Sequence, residues 1–431
     1  MVNVINWSAV PYVVMSVVIL YAFASVARYS HMHAAKLWTV SWLMVVVHLA
    51  ANVFAGIPGI WGSLVNAISS SSLYIAGVLY AVASLPPQER KTSASLWLRG
   101  SMSALGALYF ALLLLDPEAH RALNLVVVLF ALCPLAITLA TLRAGNVPQR
   151  WFTVLICGAL SILLLMVQNR HPYGPLVARN AIMFGVYTVN LIFVIMIYRR
   201  ATPGTFITIS GFFCWASSYV IAPMTTICWP QIHIDNRWWD LPLFGAGVGM
   251  LLLLLEEQVA RNRYLALHDT LTGLPNRRLF EDRMASAVER SRRAETQMAV
   301  MTLDLNGFKQ INDTLGHHMG DLVLQHIASA FIARVRRSET LARTGGDEFS
   351  VILENTLNRE DAETLASSLR QLLSEPIDIE GRKLSIGASF GIAVFPEDGL
   401  DAESLCIVAD RRMYDAKRRS QGSMQHNGSE N

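Results

Sequence analysis

The chain of 431 residues is 53% hydrophobic and only 16% charged, with a formal net charge of +3. This composition is too apolar for an ordinary soluble protein, and so small a net charge gives no electrostatic reason to expect a nucleic-acid partner. Most acidic and basic residues follow Leu255. The chain therefore divides into a membrane half, residues 1–255, and a soluble half.

Nine apolar stretches fill the membrane half, each close to the ~20 residues that a helix needs to cross a bilayer. They cover residues 8–27, 37–57, 64–85, 98–115, 123–142, 151–168, 178–198, 205–227 and 238–255. The sequence therefore predicts a polytopic α-helical membrane domain that acts as a sensor or an anchor.

Basic connections alternate along this half with weakly charged or acidic ones. The basic connections are residues 28–36, 90–99, 143–150 and 199–200, and the others are residues 56–62, 116–121 and 229–240. Because cytoplasmic loops carry an excess of lysine and arginine, we expect the N-terminus outside and the soluble half in the cytoplasm. One predicted outer loop, with Arg170 and Arg179, departs from the alternation.

His48 and Asn52 lie four residues apart in the second stretch and so share one helix face. An ionisable residue inside a membrane span is a candidate functional site, here for a ligand or a haem. A lone pair of this kind more often makes hydrogen bonds between helices. We therefore expect interhelical hydrogen bonds from these two side chains.

A helical linker is predicted for residues 256–268. Across the end of the last stretch and this linker, five residues fall at alternating spacings of three and four, namely Leu252, Leu255, Val259, Asn262 and Ala266. This pattern indicates a short coiled-coil seam that continues the last span. Two heptads are too few to exclude the alternative, an amphipathic linker without a partner. A turn at residues 271–276 then ends the helix before Arg277 opens the next one.

Strand and helix patterns alternate in the soluble half. A strand is predicted at 298–305, a helix at 320–337, a hairpin at 341–353, a helix at 361–373, strands within 384–395, and a helix at 401–419. Asp401 is a suitable N-cap for the last helix. This order predicts an α+β domain with a mainly antiparallel sheet flanked by helices.

The tip of the predicted hairpin is acidic. Gly345 and Gly346 allow a tight turn with positive φ and a close approach of a phosphate to the backbone, and Asp347 and Glu348 can hold a hard cation such as Mg²⁺. Asp304 ends the preceding strand. A carboxylate at a strand end beside an acidic hairpin is typical of two-metal phosphoryl-transfer sites, whereas a hairpin tip alone is more often a solvated turn.

The soluble half resembles the GGDEF family of diguanylate cyclases. The matching segments are residues 269–278, 312–321, 343–349, 389–393 and 409–417, and the resemblance extends over roughly residues 265–422. It implies a palm-like sheet in a domain at residues 269–422, with residues 423–431 left as a flexible tail. It also implies a bacterial cytoplasmic (inner) membrane protein with its C-terminal domain in the cytoplasm.

The resemblance assigns roles to the acidic residues. Asp304 and Asp347 are implied to bind Mg²⁺, with Mn²⁺ as the alternative ion and the carbonyl of Leu305 assisting. Glu348 is implied as a second metal contact. The two glycines complete the catalytic tip.

Substrate contacts follow from the same resemblance. Asn312 and Asp321 are implied to read guanine, because a carboxylate accepts from its N–H groups and an amide donates to its acceptors. Phe308 and Lys309 are implied near the ribose and phosphates, and Lys417 on a phosphate. Spacing alone would make Asn312 a turn residue and Asp321 a helix N-cap.

Two positions depart from the family pattern. Ser420 and Gln421 stand where the family usually has Gly-Arg, so we expect Arg418 or Arg419 to supply the lost phosphate contact. The inhibitory Arg-x-x-Asp site of the family is matched by Arg336 and by Glu339, a glutamate in place of the aspartate; a surface ion pair between these two is the plainer alternative.

The activity implied is the condensation of two GTP molecules to cyclic di-GMP and two pyrophosphates. A single domain cannot align both nucleotides, so a homodimer is implied, with downstream cyclic di-GMP receptors as further partners. The alternative is a catalytically silent membrane protein that binds GTP or cyclic di-GMP and regulates through it. Such modules usually lose the hairpin carboxylates or glycines, which this chain keeps.

The predicted topology is tested with two reporter fusions, one after Pro58 and one after Gly145. The first is expected outside and the second inside, because the basic connections alternate. Alkaline phosphatase activity and green fluorescence report the two sides. An outside location for the Gly145 fusion would contradict the topology.

Overall fold

The computed structural model describes residues 5–29, 33–83, 93–115, 120–140, 148–167, 174–198, 201–231, 236–356 and 359–427. The chain forms two compact units, Met1–Val259 and Ala260–Asn431.

Within these described ranges, nine long helices lie at the positions of the nine predicted stretches. They are α1 (Val10–Tyr29), α2 (His33–Val53), α3 (Ile60–Ala83), α4 (Ser93–Leu115), α5 (His120–Ala140), α6 (Pro148–Val167), α7 (Gly174–Ile197), α8 (Pro203–Cys228) and α9 (Leu241–Leu267). Six of them, α1–α3 and α7–α9, are long and apolar enough over the described residues to cross a bilayer. That α4–α6 also cross stays a prediction.

The side chains of His48 and Asn52 meet Ser69 of α3. The Ser69 carbonyl can only accept, so Nδ1 of His48 donates to it at 3.0 Å, and Asn52 Nδ2 lies 3.3 Å from Nε2. The Ser69 hydroxyl donates to Asn52 Oδ1 at 2.7 Å. The predicted interhelical hydrogen bonds are therefore confirmed.

The side chain of Glu256, within α9, binds the N-terminal end of α8. Its carboxylate accepts from the Thr202 hydroxyl at 2.6 Å and from the backbone N–H of Gly204 at 2.9 Å. Thr202 is also the N-cap of α8. One carboxylate of α9 thus satisfies a backbone donor in the first turn of α8, which would otherwise lack a partner.

The same two helices approach closely at Gly211. A Cβ at Gly211 would lie 2.3 Å from the backbone nitrogen of Ala246, so only glycine lets these backbones approach so closely.

The second unit is built on a four-stranded antiparallel sheet in the order β2-β3-β1-β6. Its elements are α10 (Arg277–Ala294), β1 (Gln297–Asn306), α11 (Phe308–Leu315), α12 (His317–Ile332), β2 (Thr340–Arg343), β3 (Glu348–Thr356), α13 (Arg359–Ser374), β4 (Ile377–Ile379), β5 (Arg382–Leu384), β6 (Gly387–Phe395) and α14 (Ala402–Asn427). Alternate side chains of β1 enter two cores, one shared with α12 and α13 and the other with α10 and α14. The predicted α+β fold with flanking helices is confirmed.

Several element boundaries differ from the predictions, and the helix predicted at 320–337 spans His317–Ile332 in the structure. Helix α12 begins at His317 after Gly316, so Asp321 lies inside the helix and its interpretation as an N-cap is wrong. Asn312 lies in α11, an eight-residue helix too short to stand out as a periodic pattern, and is therefore not a turn residue.

The last helix is longer than predicted. It continues past Gly422 to Asn427. Residues 423–427 of the predicted flexible tail are therefore helical. Residues 428–431 lie outside the described residues. Asp401 accepts from the backbone N–H of Ser404 at 2.8 Å, as expected of an N-cap.

Asp398 ties two helices, α13 and α14, to the edge strand β6 of the sheet. Its carboxylate accepts from Arg412 of α14 at 2.7 and 2.8 Å, from Arg359 of α13 at 2.6 Å, and from the backbone N–H of Val394 at 2.8 Å. Burial alone would raise the pKa of Asp398, but these hydrogen bonds outweigh burial and hold the pKa well below its ordinary value. The charged form is therefore the one that the folded domain stabilises.

We expect Asp398→Asn to lower the free energy of unfolding of residues 256–431 by about 2 kcal/mol at pH 7, the size of a charged hydrogen bond. The folded pKa lies below the unfolded value of about 3.9, so this contribution is present above about pH 4 and is lost as the pH falls below it. Urea titrations at pH 7 and at pH 3 measure both effects. The matched control, Glu397→Gln in the same turn, should change stability by less than about 0.5 kcal/mol; equal losses for both variants would contradict the assignment.

Candidate active site

The register of the central strand brings the predicted acidic residues together. Asp304 of β1 lies opposite Glu348 of β3 and Ser389 of β6, and its carboxylate is buried. The backbone N–H of Leu305 donates to the carbonyl of Asp347 at 3.1 Å. The end of β1 is thereby fixed against the hairpin tip that carries Asp347.

Asp304 lies close enough to Asp347 to affect the pKa of Asp347. Burial raises the pKa of Asp347, the negative charge of Asp304 raises it further, and the charges of Lys417 and Arg343 oppose this only in part. Nζ of Lys417 lies 2.5 Å from Oδ1 of Asp304. Lys417, the implied phosphate contact, therefore forms an ion pair with Asp304. The pKa of Asp347 is nevertheless raised, so additional positive charge near Asp347 would be favourable.

The acidic side chains of this site offer two carboxylates to Mg²⁺. Within the described residues, no three His, Cys, Asp or Glu side chains converge in a way that could hold a metal. Glu348, the implied second contact, has Oε2 3.9 Å from Nη2 of Arg277 instead. Two carboxylates, Asp304 and Asp347, with the carbonyl of Leu305 still suit this ion, because Mg²⁺ is usually bound by one or two carboxylates together with substrate phosphates.

The hairpin turn is not made by glycines with positive φ. Neither Gly345 nor Gly346 has a left-handed backbone, so that prediction is wrong. The turn is closed instead by the N–H groups of Thr344 and Gly345, which both donate to the carbonyl of Glu348 at 3.0 and 3.3 Å. A Cβ at Gly345 would lie 2.4 Å from Oε2 of Glu348, whereas one at Gly346 would meet nothing within 4 Å. Gly345 thus makes room for Glu348, and Gly346 leaves open space at the tip.

Arg343 braces the tip, a role that the sequence did not indicate. Its Nη2 and Nε donate to the carbonyl of Gly346 at 2.7 and 3.2 Å, and its Nη1 donates to Oδ1 of Asp269 at 2.9 Å. Asp269 also accepts from the N–H and hydroxyl of Thr272 at 2.8 and 2.7 Å. The only sequence signal was that Asp269 and Arg343 both fall in segments that match the family.

The residues implied to hold the nucleotide lie on α11 and α12. A Cβ at Gly320 would lie 2.0 Å from Oδ1 of Asn312, so a glycine there lets the two helices approach and sets Asn312 beside the turn of Asp321. Asp321 and Lys309 are exposed. Phe308 is only 8% exposed and belongs to the hydrophobic core, which makes it a packing residue beneath the site.

The residues that match the family's inhibitory site line a separate cavity of about 220 Å³. Oε2 of Glu339 accepts from the backbone N–H of Arg336 at 2.8 Å, and its own N–H donates to the Arg336 carbonyl at 3.0 Å. The Glu339 carboxylate thus binds backbone, rather than forming the ion pair considered as an alternative. The Ser420 hydroxyl donates to the carbonyl of Lys417 at 2.8 Å, and the Gln421 side chain lies outside the described residues.

Comparison with known proteins finds a family match within the second unit. The family described as diguanylate cyclase, GGDEF domain, matches residues 266–423. The bifunctional diguanylate cyclase/cyclic di-GMP phosphodiesterase MucR of Pseudomonas aeruginosa is 46% identical over 153 residues, which cover 36% of this chain and 22% of MucR. The diguanylate cyclase TpbB of the same organism is 39% identical over 170 residues, 39% of each chain.

Among solved structures, the GGDEF domain of TpbB has 40% identity and a TM-score of 0.35, and the match covers 35% of this chain and 89% of that one. The chain spans between about a fifth and two fifths of the length of the two full-length relatives.

Arg343→Lys is expected to loosen the hairpin tip, because lysine cannot donate simultaneously to Gly346 and Asp269 in this geometry. Amide hydrogen exchange of residues 344–348 should accelerate at least about tenfold, equivalent to about 1.4 kcal/mol. Arg290→Lys, which alters an exposed pair with Glu354 on the same domain, is the matched control and should leave these amides unchanged. Unchanged exchange in both variants would show that the hydrogen bonds of Arg343 do not stabilise the hairpin tip.

Proposed function

Because residues 266–423 form a GGDEF domain of the diguanylate cyclase family, we propose that the protein is a membrane-bound diguanylate cyclase. It condenses two GTP molecules to cyclic di-GMP and two pyrophosphates. One observation carries this proposal: the complete acidic tip, Gly345 to Glu348, stands beside Asp304 and Lys417 in the geometry described above.

Each domain holds one GTP, and catalysis needs two domains face to face. The 3′-oxygen of each nucleotide attacks the α-phosphorus of the other, forming one phosphodiester bond as the bond to the pyrophosphate breaks, and each 3′-hydroxyl releases its proton to solvent. Pairing two bound nucleotides replaces an encounter in solution by a reaction between held groups. A homodimer is therefore part of the proposal, and the linker within α9 (residues 256–267) is the segment that would align the two copies.

The residues of this chain bind and orient the nucleotide. Asn312 and Asp321 present an amide and a carboxylate for the guanine edge, and the open space at Gly346 admits phosphates to the backbone. Lys417 supplies positive charge next to Asp304. Mg²⁺, held by Asp304 and Asp347 with the carbonyl of Leu305, supplies charge neutralisation for the phosphates and lowers the pKa of the 3′-hydroxyl when bound.

The proposal extends to location. Six apolar helices are consistent with a multi-pass membrane protein, and GTP is a cytoplasmic nucleotide, so the domain belongs on the cytoplasmic side of the bacterial inner membrane. The membrane half then supplies a signal that controls how often two domains meet, and cyclic di-GMP receptors act downstream.

The test is turnover by the purified full-length protein with GTP and Mg²⁺, the products being resolved by chromatography. Asp347→Ala is expected to lower the rate at least about 100-fold, because it removes one ligand of the charge-stabilising ion. The change should leave the domain folded, since a turn carboxylate contributes little packing. Asp282→Ala, an exposed carboxylate on α10, is the control and should retain full activity.

Two outcomes would count against the proposal. Full activity in Asp347→Ala would refute the metal-site assignment. A wild-type protein that binds GTP but forms no cyclic di-GMP under these conditions would favour the regulatory, catalytically silent alternative.

Product feedback at the Arg-x-x-Glu site is expected to be weak or absent. Glutamate adds a methylene that moves the carboxylate by about 1.5 Å, and the Glu339 carboxylate is already bound to the backbone of Arg336. Calorimetric titration of cyclic di-GMP into residues 256–431 measures this, with Glu339→Asp expected to bind at least about tenfold more tightly. Low-micromolar binding by the wild type that is lost on Arg336→Ala would overturn the expectation.

A further inference from the structure

The first unit contains a polar cavity of about 400 Å³ at one end of its helices. It is bounded by α1, α2, α3, α7 and α8, which are five of the six helices apolar enough to cross a bilayer, and by the short 3-10 turn Asn236–Asp240 before the sixth, α9. The lining residues come from the helix ends that the basic connections predict to face outside. A volume of this size is typical of small-molecule sites.

Two opposite charges line this cavity without an ion-pair partner among the described residues. Arg179 of α7 is half-buried and pairs with no carboxylate there. The one basic side chain within 4.0 Å of Asp240, directly before α9, among the described residues is His48, whose Nε2 is 4.0 Å from Oδ1 of Asp240. A partly buried charge without a partner is unfavourable, so both positions favour a ligand group of opposite charge.

His48 does not neutralise Asp240. Its Nδ1–H is donated to the carbonyl of Ser69, and its Nε2 accepts from the amide of Asn52. In this tautomer Nε2 has no proton to give to the carboxylate. The closed network of His48, Asn52 and Ser69 therefore forms a neutral polar wall, and the charge of Asp240 is left for another cation.

The remaining lining suits an organic molecule rather than a bare ion. Tyr12, Tyr219 and Trp239 provide aromatic surface, and Asn66 provides an amide. Aromatic faces attract ammonium groups, and the charges of both Arg179 and Asp240 act on Tyr219. Both charges thus reach the same aromatic wall of the cavity.

We propose that this cavity binds a small zwitterion whose anionic group is held by Arg179 and whose ammonium group is held by Asp240. A free amino acid and a phosphoethanolamine lipid headgroup share this chemistry. Asp240 immediately precedes Leu241, the first residue of α9, so the ligand acts at the start of the helix that continues to Leu267. The site is independent of the GTP site, and binding there does not depend on turnover.

The test is isothermal titration calorimetry on the full-length protein in detergent, without nucleotide. The probes are the twenty L-amino acids, each added singly, and glycerophosphoethanolamine. At least one probe should bind saturably, and the corresponding amine without the acid, or acid without the amine, should bind at least about tenfold more weakly. Binding by either class supports the zwitterion, and the class that binds identifies the source.

Variants locate the binding on the two charges. Arg179→Gln and Asp240→Asn should each weaken binding at least about tenfold, while Arg121→Gln, on an exposed position of α5, should leave it unchanged. Circular dichroism melts check that the variants fold, and Arg179→Lys, which keeps the charge, should retain part of the affinity. Measurements on the wild-type protein are enough to overturn the proposal. Either no probe binds saturably, or the analogue with only the amine or only the acid binds as tightly as the zwitterion.

Discussion

The closeness of Asp304 and Asp347 is the constraint on which the second unit depends. Antiparallel pairing of β1 with β3 sets one carboxylate at a strand end beside another at the hairpin tip, where burial and mutual repulsion raise the pKa of Asp347. Like charges held this close are unfavourable unless positive charge is brought to them. Lys417 from α14 and Arg343 from β2 supply part of it, so two elements distant in sequence both contribute positive charge at the same edge of the sheet.

Much of this fold was predictable because its signals are local. The buried strand that carries Asp304 near its end, the acidic tip, the Asp401 cap and the helix that starts at Arg277 each depend on a few neighbouring residues. The Arg343–Asp269 and Asp398–Arg412 contacts were not predictable, because they join side chains 74 and 14 residues apart whose approach is set only by packing. Charged residues without a periodic pattern give no sign of their partner.

The glycines show the same limit in another form. Adjacent glycines in a turn suggest positive φ, but neither glycine has it here. The missing side chain of Gly345 leaves room for the Glu348 side chain, and that of Gly346 leaves open space for an approaching group. Sequence identifies that a side chain is missing but not which neighbour uses the room. In the membrane half, likewise, the spacing of His48 and Asn52 predicted a shared face, whereas Ser69 and the 4.0 Å approach of Asp240 depend on how separate helices pack.

The Glu256 contact restricts how the last helix of the first unit can turn about its own axis. Helix α9 has 27 residues and is therefore about 40 Å long, and successive residues differ by about 100° around its axis. A turn of even one residue step would carry the Glu256 carboxylate away from Thr202 and from the N–H of Gly204, leaving a helix end without its acceptor. Rotation of α9 about its axis therefore requires both of these hydrogen bonds to break, so the Glu256 contact opposes free rotation of the helix.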